Sequence, residues 1–233
     1  MGVRLYTFPD DPPPQESPAV AFPYVPPDGT TVEQHREGRE LHRDDGPAVI
    51  QLEPDGTRTE EYYSHGKLHR TAGAAKFTIS PSGELIGERY FLNGELHRIG
   101  GPALRLTPYD GNLIEQWRRH GQLHRDGGPA DLFHDGADAG FEVYYSDGKR
   151  HRDDGPAYIE WFPGERLEQW RRHGRLHRDD GPAVSASSAD DYFLEKYYRD
   201  GHLHRTDGPA IIEVRADGTR DEQHYRWGKR TDA

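Results

Sequence analysis

The dipeptide His-Arg recurs at His42-Arg43, His69-Arg70, His97-Arg98, His124-Arg125, His151-Arg152, His177-Arg178 and His204-Arg205, at steps of 27, 28, 27, 27, 26 and 27 residues. A period of that length marks a repeat architecture, in which each supersecondary unit is too small to bury its own apolar face and borrows its neighbour's. The anchor sits in a longer phrase, Leu-His-Arg-x-Asp-Gly-Pro-Ala, complete at 41–48, 176–183 and 203–210, with near versions at Leu96, Leu123 and Arg150. The copy at 68–75 lacks the Pro. Nine residues before each His stands a Glu: Glu33, Glu60, Glu88, Glu115, Glu142, Glu168 and Glu195. Seven before it stand His35, Tyr62, Tyr90, Trp117, Tyr144, Trp170 and Tyr197.

Each unit reads as two strands and two turns. After Gly-Pro-Ala comes a short apolar or alternating run such as 49–52, then a turn signal such as Asp55-Gly56, Asp110-Gly111 or Asp217-Gly218. Two such runs joined by Asp-Gly form a hairpin. The second run carries the Glu and the ring two positions apart, hence on one face. It closes at a second Gly (Gly66, Gly94, Gly121, Gly148, Gly174 or Gly201), and Leu-His-Arg-x-Asp returns the chain to the next unit. Residues 210–228 repeat the pattern without a His-Arg. The expected fold is therefore all-β: an elongated array of about eight two-stranded β-hairpin units, as a sheet or a solenoid. The array occupies residues 17–233. Residues 1–16, with Pro9, Pro12, Pro13 and Pro14, form an arm of polyproline type, with Tyr6 and Phe8 available to cap the first unit.

Composition agrees with a thin architecture. Hydrophobic residues make up only 32% of the 233, too few for the interior of a layered globule of this length. Stacked units would instead line up the Tyr and Trp column as a ladder of rings, with offset stacking worth ~0.5–1.5 kcal/mol per pair. The Leu before each His (Leu41, Leu68, Leu96, Leu123, Leu176, Leu203, with Arg150 the exception) gives a second seam. Seven Arg in a row repel one another, so the Glu column is their expected counterion. Of the 30 basic residues, 25 are Arg, the cation that pairs with carboxylates and stacks on rings.

Several function classes are disfavoured. A net charge of -11 repels nucleic acid and anionic membrane. The absence of Cys removes disulfide frameworks and Cys-ligated zinc. The N-terminus has no apolar signal core, and Tyr6 stands where a myristoylation signal has Ser or Thr, so the expected location is cytoplasmic. The clusters His42/Asp44/Asp45, His151/Asp153/Asp154 and His177/Asp179/Asp180 suggest a metal. Other copies carry Thr71-Ala72, Ile99-Gly100 or Asp126-Gly127 there, which favours Asp as a turn cap. A catalytic constellation is asymmetric, whereas these residues recur in every unit; with no catalytic motif present, no enzyme activity and no cofactor are expected.

If the repeated positions are scaffold, binding falls to what varies. The residue after each ring, Arg36, Tyr63, Phe91, Arg118, Tyr145, Arg171, Tyr198 and Tyr225, turns to the opposite face and mixes Arg with aromatics, the composition of interface hot spots. Trp161-Phe162 and Tyr192-Phe193 could extend it. The pattern Tyr/Trp-x-x-x-Gly-x-Leu-His, as at 117–124 and 170–177, resembles MORN-type repeats, including the variant in YwqK-type antitoxin proteins. The resemblance implies an elongated β-hairpin array without enzymatic activity, in an antitoxin, immunity or scaffold role. No functional residue carries over from it. The expectation is a scaffold for a protein partner, such as a toxin; the alternative is a small molecule or glycan held by the aromatic and Arg surface.

Overall fold

The computed structural model describes residues 20–24, 28–108 and 111–231. The N-terminal arm, residues 1–16, and Asp110 of the Asp110-Gly111 turn lie outside the described residues. The chain is all-β. One antiparallel sheet of seventeen strands runs from Val20–Tyr24 at one edge to Arg220–Gln223 at the other, each long strand pairing with the next in sequence. Each unit adds two long strands and so advances the sheet by about 10 Å.

The units hold more strands than the sequence suggests. In the second, Val49–Leu52 and Arg58–Glu61 form the long hairpin, the chain leaves the sheet at Tyr62, and Tyr63–Ser64 pairs with Lys67–Leu68 in a small hairpin of its own. The break falls at the aromatic position because its N–H turns to the carbonyl of the next unit's Ala: Tyr62 N donates to Ala75 O at 2.7 Å and Trp117 N to Ala130 O at 2.7 Å. That Ala donates onward, as Ala48 N does to Glu61 O at 2.8 Å. Backbones meet so closely at this corner that Ala48, Ala75, Ala103, Ala130, Ala157, Ala183 and Ala210 are 0% exposed. Among the described residues they form the one fully buried column; the Tyr and Trp column is only half-buried.

Two expectations about that column need correcting. Its rings do not stack on one another; each is covered by the guanidinium of its own unit. Arg70 lies over Tyr62 at 3.8 Å, Arg98 over Tyr90 at 3.8 Å, Arg125 over Trp117 at 3.9 Å, Arg152 over Tyr144 at 4.0 Å, Arg178 over Trp170 at 4.0 Å and Arg205 over Tyr197 at 3.9 Å. Nor is Glu the counterion of these Arg. The Glu accepts from the polar end of the ring instead, as in Tyr90 to Glu88 at 3.0 Å and Tyr197 to Glu195 at 2.9 Å. The Arg pairs with the Asp two residues on, as in Arg43–Asp45 at 2.9 Å and Arg152–Asp154 at 3.0 Å. It also donates to the Pro carbonyl four residues on, as Arg125 does to Pro129 at 3.1 Å. These Asp are therefore side-chain partners rather than turn caps. Asx caps occur in the long hairpins, where Asp55 and Asp217 accept from Thr57 and Thr219.

The Gly before each Pro now has a cause. A Cβ on Gly128 would stand 2.7 Å from Arg125 Cζ, and on Gly155 2.7 Å from Arg152 Cζ. The guanidinium lies between ring and glycine backbone, and any side chain there would push it off. Such a clash is relieved by moving the flexible Arg, so Gly128→Ala should cost the stack, about 1–2 kcal/mol. It should cost almost nothing once Trp117 is already Ala. Chemical denaturation of the two single variants and the double variant checks this; additive losses would place the cost elsewhere.

Candidate functional site

From the second unit on, each small hairpin turns on two residues of positive φ, such as His65 (φ 47) and Gly66 (φ 74), or His120 (φ 48) and Gly121 (φ 73). This is the I′ pattern, whose twist suits short hairpins, yet its first position is occupied by His65, Asn93, His120, Asp147, His173, Asp200 and Trp227. A left-handed conformation is unfavourable for such residues, and the preceding unit stabilises it. The His of the repeat phrase accepts at Nδ1 from the N–H of that strained residue: His42 from His65 at 3.2 Å, His69 from Asn93 at 3.1 Å, His97 from His120 at 3.0 Å and His204 from Trp227 at 3.2 Å. Ring contact adds to it, with centroids 4.4 Å apart for the stacked pairs His151–His173 and His204–Trp227 and for the tilted pair His97–His120. The first unit has no His before it, and there the strained position is Gly38 (φ 59). The His column is thus a clamp between units, a role the sequence reading missed; the signal was the position just before the second Gly of each unit, 22 to 24 residues on.

This clamp bears on metal binding. Glu37, His42 and His65 bring ligand atoms together, with Glu37 Oε2 3.6 Å from His42 Nε2 and 3.9 Å from His65 Nε2. Because His42 Nδ1 accepts the His65 N–H, the neutral ring carries its proton on Nε2, the atom that faces Glu37 and lies 3.2 Å from Asp44. A cation would need a lone pair there. The same tautomer applies at His151, whose Nε2 lies 3.6 Å from Asp153.

The eight candidate binding residues begin the small hairpins. They stand opposite Leu or Arg: Arg36↔Leu41, Tyr63↔Leu68, Phe91↔Leu96, Arg118↔Leu123, Tyr145↔Arg150, Arg171↔Leu176, Tyr198↔Leu203 and Tyr225↔Arg230. All eight are half-buried rather than exposed, and five of them, Arg36, Tyr63, Arg118, Arg171 and Tyr225, bond to the residue two before. Tyr63 donates to Glu61 at 3.0 Å and Tyr225 to Gln223 at 3.3 Å. Burial, with the Glu61 carboxylate beside it, pushes the Tyr63 hydroxyl up to about 12.

The three Arg share one arrangement. Arg36 donates to Gln34 (3.0 Å) and Arg39 O (2.8 Å), Arg118 to Gln116 (3.1 Å) and Gly121 O (2.7 Å), and Arg171 to Gln169 (2.9 Å) and Gly174 O (2.9 Å). Every acceptor is neutral, and among the described residues none of the three is in an ion pair. Burial, and then Arg150, lowers the pKa of Arg171. Of the two aromatic pairs, Phe162 and Phe193 are exposed, whereas Trp161 packs edge-on against His134. A depression between the sixth and seventh connectors is lined by Arg178, Asp179, Asp180, Arg199, Arg205 and Asp207, whose charges already pair as Arg178–Asp180, Arg199–Asp179 and Arg205–Asp207.

No protein-family model matches the chain, and no curated protein matches it. No helix among the described residues is long and apolar enough to cross a membrane.

Desolvation, followed by the neighbouring cations, lowers the pKa of His97 (beside His120 and Arg119, opposed by Glu95) and of His204 (beside Arg226 and Arg199). A lowered His pKa contributes stability that is whole above the ordinary value of 6.5 and is lost as pH falls through the folded value. His97→Gln with His204→Gln should therefore flatten the fall in melting temperature between about pH 7 and pH 5. An unchanged fall would place the pH sensitivity in other groups.

Proposed function

We propose that this chain is a non-enzymatic, cytoplasmic binding scaffold that recognises another protein along the row from Arg36 to Tyr225. The observation that carries this reading is the state of that row. It repeats at every unit, mixes Arg with Tyr and Phe, and its guanidinia rest on neutral oxygens that leave their charge uncompensated. Arg and Tyr in half-desolvated settings are the side chains from which interfaces draw most of their energy. A row at a spacing of about 10 Å suits an extended ligand that engages several units, so that weak contacts add.

The non-enzymatic part of the reading is supported by the work the recurring polar groups already do. The His column clamps turns, the Glu column accepts from rings, and Asp45, Asp154, Asp180 and Asp207 neutralise the Arg of the connectors. A role as antitoxin or immunity protein is what the repeat resemblance adds. A photo-crosslinking side chain placed at Tyr145 or Tyr198 should couple a protein partner in cells, while the same group at the exposed Asp153 or Asp180 should not. Coupling at the second pair alone, or a low-mass ligand retained in native mass spectrometry with no protein coupled, would overturn the assignment.

A further inference from the structure

Two residues break the repeat, and they lie in one neighbourhood. The position after the buried Ala is Val49, Lys76, Leu104, Tyr158, Val184 or Ile211 in other units but Asp131 in the fourth; the position before the His is Leu in six units and Arg150 in the fifth. Asp131 sits in the long strand opposite Gln116 and Val143, and Tyr158 opposite Val143 on the next strand, so the three share one rung. Arg150 lies over Tyr158 with Cζ 5.2 Å from the ring centroid and donates through Nε to the Tyr145 hydroxyl at 3.3 Å. Asp131 accepts from Gln116 at 3.2 Å and feels both Arg118 and Arg150.

Along the row, Arg118 and Arg171 stand one unit to either side of Tyr145. The neighbourhood thus holds three half-buried guanidinia and two half-buried carboxylates, Asp131 and the Glu160 that bonds to Tyr158. Among the described residues Arg150, like Arg118 and Arg171, is in no ion pair, and it bonds only through Nε, which leaves its two Nη groups as a bidentate face that a carboxylate fits. Repulsion between Arg150 and Arg171, together with their partial desolvation, makes a further anion welcome where Asp131 already supplies one. The chain as a whole carries -11, so this stretch is a local inversion of sign that would select where along the array an acidic segment docks.

We propose that Arg118, Arg150 and Arg171, framed by Tyr145 and Tyr158, form a recognition site for carboxylate side chains of an Asp- or Glu-bearing segment of the protein partner. This rests on the reading of the row as a protein-binding surface. Asp131 acts as a resident stand-in for the incoming carboxylate and sets the strength of binding by competing with it.

The probe is a fluorescein-labelled octaglutamate peptide, titrated by anisotropy at low ionic strength against the full chain. Arg150→Leu installs the residue six other units carry, so the fold should persist with an unchanged or higher melting temperature. Affinity should fall about tenfold or more, the worth of one lost charge-assisted pair. Asp131→Asn should tighten binding severalfold by removing the internal competitor. Octaglutamine should not bind. Equal binding of octaglutamate to wild type and Arg150→Leu, or of octaglutamine to wild type, would overturn the proposal. So would inorganic phosphate that binds as tightly as the peptide and with the same Arg150 dependence, since it would reassign the site to phosphate. Octaglutamate that fails to bind the wild-type chain, while partner crosslinking through Tyr145 persists, would sink this site alone and leave the scaffold reading standing.

Discussion

The structure depends on a flat cation held between a ring and a glycine. In each of six units the guanidinium that follows the His covers the aromatic side chain that ended the long strand, and the glycine three residues later has no Cβ to obstruct it. A chain with 32% hydrophobic residues cannot enclose its rings in an apolar interior. It covers one face of each with an Arg instead, whose charge is answered by the Asp two residues on or by the Pro carbonyl. Desolvated contacts of this kind are each worth up to about 2 kcal/mol, and their repetition does the work of a core.

Stacking within a unit would not make an array, and two further devices join the units. At the sheet corner the buried Ala exchanges backbone hydrogen bonds with both flanking chains. At the outer end, His holds the left-handed turn of the next unit through a single backbone N–H and a ring contact. The clamp reaches forward 22 to 24 residues, nearly one period, so each unit's least favourable backbone conformation is held by its predecessor. Nearest-neighbour dependence of this kind is how repeat proteins accumulate stability.

Much of this was legible. The 27-residue period, the Asp-Gly turns and the alternation of Glu with the ring gave the hairpins and their face, because hairpin signals are local and side-chain alternation is fixed by strand geometry. Alternation also stopped short of the truth. It holds only while the chain stays in the strand, and the chain leaves the sheet at Tyr62 and its equivalents. The Arg of the connector was free to reach over the ring, which left the Glu to the Tyr hydroxyl. The left-handed turn position escaped notice because His65, Asn93, Asp147 and Trp227 share a backbone conformation and not a chemistry. The nearness of Asp131 to Arg150 lies across units, where the register and not the sequence spacing brings them into one neighbourhood.

The scaffold positions are occupied by one another, and the row of half-buried Arg and aromatic side chains, with its charged centre near Arg150, is the surface we propose for a partner. That division follows from units that exist only through their neighbours, and unit number tests it most directly. Chains from which one or two whole periods are removed, for example residues 124–150, should unfold at denaturant midpoints that fall stepwise with each unit lost, with a fitted interface term that is favourable and an intrinsic unit term that is not. A midpoint independent of the number of units would show that each hairpin holds itself together, and would contradict the account.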